Sequence, residues 1–310
     1  MNELLTQKKM QKDKTLRFWD DFYRQEEESQ SKGTEWILEP TESILRTISN
    51  NLEFDVHVKN RSEEKTGRSR SLALLEIGCG NSKFSLQLWH YLQNICNGDG
   101  SMNERMREVT VSVVATDVSP VCIQQNVERD GEFIEEVSSN VPSPGSFCYE
   151  TLNILEEPDE SKKGKYAIIL DKGCFDTFLF RSEKTKSGQH SPLVQKLLNN
   201  IHTLLTSGGK YIIFSPRKKM NSLRDFNGFT SVQRTKLKSK DTIIGALDGR
   251  AENNDVVYMH ICSKNDKHTD CDKSFRNEIN IPTDDEKCKI CGIKFIDFRK
   301  GEAMSGKGVA

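Results

Sequence analysis

No apolar run in this 310-residue sequence approaches the ~18 residues a membrane-spanning helix needs. The first stretch, Met1 to Met10, mixes acidic and basic side chains and has no long apolar core, so neither a membrane anchor nor a secretory leader is expected. Net charge is nearly absent too. The 45 Lys and Arg are balanced by 46 Asp and Glu, for a formal charge of −1, which argues against a general nucleic-acid footprint. Nor is there a paired cysteine framework. Nine cysteines are scattered and odd in number, and Cys79, Cys96, Cys122, Cys148 and Cys174 fall where the chain reads as α/β. That pattern points to a reducing compartment, and a cytoplasmic protein is the expectation.

Two further absences narrow the ligand. An apolar run (Leu72, Leu74, Leu75, Ile77) ends in Gly78 and Gly80, and Phe84, Leu88, Tyr91, Leu92 and Ile95 then repeat at helical spacing. This is a buried strand entering a tight turn, where glycine lets a ligand lie against bare backbone. No Gly-Lys-Ser/Thr ending follows, so a Walker phosphate loop is excluded. The third glycine of a dinucleotide turn is missing as well. Lys83 stands in its place, where it is expected to hold the helix off the strand and to disfavour NAD.

What is present favours S-adenosylmethionine. Glu76 lies two residues before the first glycine, and Asp117 ends the next β-branched run, Val109–Thr116. The glycines suit the methionine part, and Asp117 can accept hydrogen bonds from both ribose hydroxyls. A sulfonium cation is better met by carboxylates such as Glu76 than by the helix N-terminus that suits phosphate. The gap from Gly80 to Asp117 is long, and the polar tract 97–108 accounts for the excess as a loop.

Residues 1–50 read as a helical lid segment. Within it Leu16, Phe18, Trp19, Phe22 and Tyr23 form an apolar face that either packs on the domain edge or closes a cofactor site, a choice that Trp36 shares. A charged, aperiodic insertion occupies 51–71. The catalytic domain is expected over 72–262. There, Ser119-Pro120 starts a helix, Asp130–Gly145 reads as a polar insertion, and Ser146–Leu152 and Tyr166–Leu170 read as strands. The segment 156–165 reads as a plain loop. A helix over Pro192–Leu205 is expected to close on Gly208-Gly209 before a strand at Lys210–Ser215, with two β-like runs, Phe229–Leu237 and Asp255–Cys262, last. The pattern predicts an α/β, doubly wound Rossmann-like sheet with a terminal β pair.

Four segments carry a family resemblance: Phe18-Trp-Asp-Asp-Phe-Tyr23, Leu75-Glu-Ile-Gly-Cys-Gly-Asn-Ser82, Asp117-Val-Ser119 and Leu170-Asp-Lys-Gly-Cys-Phe-Asp176. With these the chain resembles the seven-strand class I methyltransferases. More narrowly, it is similar to the branch that methylates lysines in translation elongation factor 1 alpha and in citrate synthase. The resemblance covers roughly residues 14–262. It implies S-adenosylmethionine as cofactor, a protein substrate, and a strand order of 3-2-1-4-5-7-6 with strand 7 antiparallel. Glu76, Gly78, Cys79, Gly80, Asn81, Ser82, Asp117, Val118, Asn153, Ile154 and Asp171 are the cofactor-binding positions it implies, with Asn153 against the adenine. Cys174 stands where the branch usually has threonine.

Methyl transfer from a sulfonium is an in-line displacement, so the protein must supply orientation and a neutral nucleophile. A lysine with a pKa near ~10.4 must first lose its proton. Asp171 is the candidate to orient the amine or guide its deprotonation; the alternative is a carboxylate paired with neighbouring Lys172 or capping the next turn. Cys79 reads as a small residue filling a tight turn. The polar tail, 263–310, holds Cys288-x-x-Cys291, half of a zinc site that His268 and Cys271 could complete; the alternative is a solvated tail. The expectation is an S-adenosylmethionine-dependent protein-lysine methyltransferase. The same fold acting on a small molecule or RNA, or serving as an inactive binding module, is the alternative.

Overall fold

Alternating apolar residues build a sheet around the glycine turn. In this computed structural model, which describes residues 2–28, 37–51, 70–97, 109–139, 145–182, 191–237 and 256–264, the run before the turn is β1 (Arg70–Ile77). The β-branched run is β2 (Val109–Asp117), followed by β3 (Phe147–Thr151), β4 (Tyr166–Lys172), β5 (Leu205–Ser215), β6 (Phe229–Lys236) and β7 (Tyr258–Lys264). They form one seven-stranded sheet in the order β3-β2-β1-β4-β5-β7-β6. β1 to β5 pair in parallel, and β7 runs antiparallel to both β5 and β6. This is the expected order.

The register aligns the chemistry. Ile77 pairs with Thr116 on one side and Asp171 on the other, so the turn after β1 emerges beside Asp117 and Asp171. The chain leaves β3 at one edge and re-enters the sheet at β4, across β1. A ligand crevice forms outside the carboxyl ends of the strands at such a switch point.

Helices cover both faces. Leu72, Leu74, Val111, Val113, Ile168, Leu170 and Phe214 point to one face, with Phe84, Leu88 and Trp89 of α3 (Phe84–Asn97) and Ile44, Leu45 and Ile48 of α2 (Glu42–Asn51). Leu75, Ile77, Ile169, Tyr211 and Ile213 point to the other, against Val194, Leu197 and Ile201 of α6 (Pro192–Leu204). Ser191 caps α6 by accepting the Leu193 N–H, with Pro192 at its first turn, where a missing N–H costs nothing.

Several local expectations change. The opening helix, α1, runs over Asn2–Glu28. The stretch read as a polar insertion continues the helix from Pro120: α4 spans Pro120–Ser139, because Ile123, Asn126, Asp130, Ile134 and Val137 keep helical spacing on its inner face. A 3₁₀ turn at Glu160–Lys162, capped by Asp159, interrupts the loop before β4. A short helix unread in the sequence, α5 (Cys174–Ser182), follows β4 directly, and α7 (Asn221–Arg224) is a single turn. Gly208 and Gly209 do not cap a helix; they lie within β5. Opposite them the pairing jumps from Tyr166–Leu205 to Ile168–Lys210, and Gly208 takes φ 69° in that irregularity. Lys83 does not hold α3 off the sheet: it is half-exposed and reaches Asp130, while Phe84 packs edge-to-face on Phe214 at 5.5 Å. The insertion at 52–69, Trp36 and the tail with Cys288 and Cys291 lie outside the described residues.

Phe214 is fully buried between β5 and α3. Phe214→Ala is expected to destabilise the protein by about 3–5 kcal/mol, read as a lowered midpoint in urea unfolding; a loss below ~1 kcal/mol would contradict this packing.

Candidate active site

The turn after β1 is fixed by its own backbone. Gly78 and Gly80 have φ of 62° and 56°, values that L side chains rarely adopt. The Cys79 N–H donates to the Thr116 carbonyl at 2.8 Å, and the Gly80 N–H donates to Asp117 Oδ2 at 3.1 Å. Asp117 Oδ1 accepts the Ser119 N–H at 2.9 Å, where Ser119 leads into α4. One buried carboxylate thus joins the glycine turn, the end of β2 and the start of α4. Burial pushes Asp117 above its ordinary value, Asp20 adds to the rise, and the N–H groups of Ser119, Gly80 and Val118 oppose it. Ser82 caps α3 through the Phe84 N–H at 3.0 Å.

α1 lies over this turn. A Cβ built on Gly80 would meet the Tyr23 hydroxyl at 3.1 Å, and Tyr23 is buried. Asp20 accepts from the Ser119 hydroxyl at 2.5 Å, Glu26 accepts from the Asn81 amide, and Gln125 donates to Glu27 at 2.8 Å. Trp19 stacks on Tyr23 at 6.1 Å. Of the two roles the sequence leaves open for this helix, edge or lid, its inner face meets the candidate site. The aromatic spacing points to Tyr23, but Asp20 and Glu26 carry no such signal, because their contacts to Ser119 and Asn81 cross 99 and 55 residues.

On the β4 side, Asp171 is fully buried. It accepts the Tyr211 hydroxyl at 2.7 Å and the Phe175 N–H at 3.0 Å, so it caps the first turn of α5. Burial raises it to about 7, while the hydrogen bonds from Tyr211 and Phe175 pull the other way. Of the roles expected for it, this geometry displays the capping one, with both oxygens enclosed. Asp176, pushed up to about 6 by burial, accepts from the Ser215 hydroxyl and pairs with Arg217. A Cβ on Gly78 would come within 2.7 Å of Cys174 Cβ, so the first glycine makes room for α5 rather than for a ligand alone.

The remaining candidates are placed as follows. Glu76 is buried within β1. Val118 is half-buried beside Asp117. Asn153 accepts the Leu155 N–H at 3.1 Å and closes a turn just past β3, and Ile154 is buried behind it. Cys79 and Cys122 are buried on either side of Asn126, and burial pushes both thiols up, so neither is an activated nucleophile. Two surface cavities, of about 290 and 540 Å³, open beside Lys163 and between Arg24 and Gln125, and neither is lined by a residue of the glycine turn that Tyr23 covers. Among the described residues no group of three or more His, Cys, Asp or Glu is placed to hold a metal.

The donor can be tested against these groups. Asp117 is a buried carboxylate with two N–H partners and a raised pKa, so further hydroxyl donors and a nearby cation would stabilise it. Gly80 has bare backbone facing only a side-chain hydroxyl. These residues fit S-adenosylmethionine, with α1 as the outer wall.

No family model matches the chain. Two curated relatives, from Mus musculus and Bos taurus, are each described as an eEF1A lysine and N-terminal methyltransferase; each is 29% identical over 143 residues, 46% of this chain. The chain spans only 16% of the length of these relatives. Among solved structures, the N-methyltransferase NodS from Bradyrhizobium japonicum, in complex with S-adenosylhomocysteine, is 13% identical, with a TM-score of 0.38 over 69% of this chain and 87% of that one. The citrinin polyketide synthase CMeT domain is 14% identical, with a TM-score of 0.41 over 66% of this chain and 49% of that one. The sheet itself has the seven-strand order, with β7 antiparallel, that the resemblance to class I methyltransferases implies.

Asp171 and Asp176 bind protons more tightly in the folded chain than at their ordinary value of 3.8. Their contribution to stability is fully present below about 3.8 and is lost as pH rises from there through about 6 to 7. The thermal midpoint is therefore expected to fall from about pH 4 to about pH 7, and Asp171→Asn to flatten that fall. Parallel pH profiles for the two proteins would refute the assignment.

Proposed function

We propose that this chain is an S-adenosylmethionine-dependent methyltransferase whose acceptor is a lysine side chain of a protein. The observation that carries the enzyme reading is Asp117, buried at the end of β2 with one oxygen on the glycine turn and the other on the start of α4. The protein acceptor is supported by the curated relatives, whose description names a protein substrate. The six free cysteines among the described residues support a reducing compartment such as the cytoplasm.

When bound, the cofactor supplies a methyl group on a sulfonium, a leaving group that needs no acid. The chain supplies position and enclosure. Asp117 would hold the donor's hydroxyls, and the Gly78–Gly80 backbone would admit its close approach. Tyr23, with Trp19 stacked on it, would exclude water from the turn. A neutral amine must be presented, and Asp171 serves that end as a positioning residue: it accepts from Tyr211 and fixes the first turn of α5, where Cys174 packs against Gly78 of the glycine turn. Its oxygens are committed, so the proton of the acceptor lysine leaves to solvent or to a group of the bound substrate.

Calorimetry with S-adenosylhomocysteine tests the donor site. The protein is expected to bind, and Asp117→Ala to weaken binding at least about ten-fold. No binding by the parent would refute the enzyme reading. Tritiated donor with purified eEF1A, total RNA and a small-molecule extract tests the acceptor; label in eEF1A lysine supports it, and label confined to RNA or small molecules overturns it.

A further inference from the structure

The glycine turn has outward-facing carbonyls as well as N–H groups, and α4 takes two of them. Asn126, fully buried, donates its Nδ2 to the Gly80 carbonyl at 2.7 Å. One helical turn later, Arg129 Nη1 donates to the Asn81 carbonyl at 2.6 Å. Together with the Gly80 N–H on Asp117, these bonds hold the peptide groups around Gly80 and Asn81 from three directions.

Arg129 does not hold its pose alone. Its Nε and Nη2 fork onto the two oxygens of Asp130 at 2.8 and 2.5 Å. The Tyr149 hydroxyl of β3 donates to Asp130 at 2.7 Å, and Lys83 Nζ stands 3.5 Å away. Burial works to raise Asp130, but the bonds from Arg129 and Tyr149 and the nearby Lys83 outweigh it and keep the carboxyl below its ordinary value. Burying a carboxylate is costly, and a buried ion pair gives little net stability against an apolar substitute. What this pair does give is direction. A guanidinium locked on two oxygens has its remaining nitrogen aimed at one carbonyl.

Resting on the donor-site reading above, we propose that Asn126 and Arg129, with Arg129 oriented by Asp130 and Tyr149, are positioning residues that set donor affinity by clamping the glycine turn. Neither residue stands out in the sequence, because a polar side chain on a helix face has no local signature for a carbonyl 46 or 48 residues earlier in the chain. A turn held in its binding shape beforehand pays no ordering cost when the donor arrives. The clamp therefore acts on donor binding and leaves the transfer step alone.

Donor affinity in single variants tests this. Arg129→Met is expected to raise the Kd for S-adenosylhomocysteine and the KM for the donor by about ten-fold or more, with kcat within about two-fold of the parent. Arg129→Lys is not expected to restore either, because a point ammonium cannot fork onto Asp130 and also reach Asn81. Tyr149→Phe, which keeps the ring and folds even if the arginine variant does not, should raise both by a smaller factor, about three-fold. Gln124→Ala, on the outer face of α4, is the control and should match the parent. A lowered thermal midpoint with an unchanged Kd and KM in Arg129→Met and Tyr149→Phe would overturn the clamp. Failure of the parent itself to bind S-adenosylhomocysteine would instead remove the donor-site reading beneath it.

Discussion

The rest of the structure depends on one carboxylate. Asp117 accepts the Gly80 N–H on one oxygen and the Ser119 N–H on the other, so the turn after β1 and the helix after β2 share an anchor. The bond is possible because β1 and β2 run parallel in register, with Ile77 beside Thr116. A one-residue slip would turn Asp117 to the other face and leave the turn unsupported. Sheet order, register and site are thus one constraint seen at three scales.

Around that anchor the protein concentrates buried charge. Glu76, Asp117, Asp130 and Asp171 all lie within or just beyond the carboxyl ends of the central strands or in the helix beside them, and all are buried. Each buried carboxylate is unfavourable unless its oxygens are met. The described partners meet them differently: backbone N–H groups at Asp117, a guanidinium fork and a phenol at Asp130, and a phenol and a helix N-terminus at Asp171. The outcome follows the partner. The ion-paired Asp130 is lowered, while Asp117 and Asp171, met by neutral donors, are raised. At the Asp117 end of this group α1 closes over Gly80 with a phenol, that of Tyr23, rather than with a base.

Much of this was legible one element at a time. Strands with continuous or alternating apolar residues stood out, as did the glycines and the strand-ending aspartates, because each follows from local periodicity or from a backbone angle that only glycine takes easily. α4 was cut short because its outer face is almost wholly polar, so after Val127 the helical repeat rests on widely spaced Asp130, Ile134 and Val137. α5 has no local start signal because it follows β4 after the single residue Gly173, and its first turn is capped by Asp171 from within the strand. Gly208-Gly209 looked like a helix stop, yet the sheet draws the backbone on into β5 with an irregularity in the pairing. In each case tertiary packing outweighed the local signal.

The sequence by itself determined the fold class, the place of the ligand turn and the chemistry of the ligand it favours. These depend on spacing along the chain: two glycines after an apolar run, an acid before them and an acid at the next strand end. Only the tertiary structure decided what each polar group does once in place. It brought Tyr23 onto Gly80 and Cys174 onto Gly78, enclosed Asp171 against Tyr211, and set Arg129 on the carbonyl of Asn81. Those contacts join residues far apart in the chain, and the energy of a buried hydrogen bond depends on the partner that folding supplies.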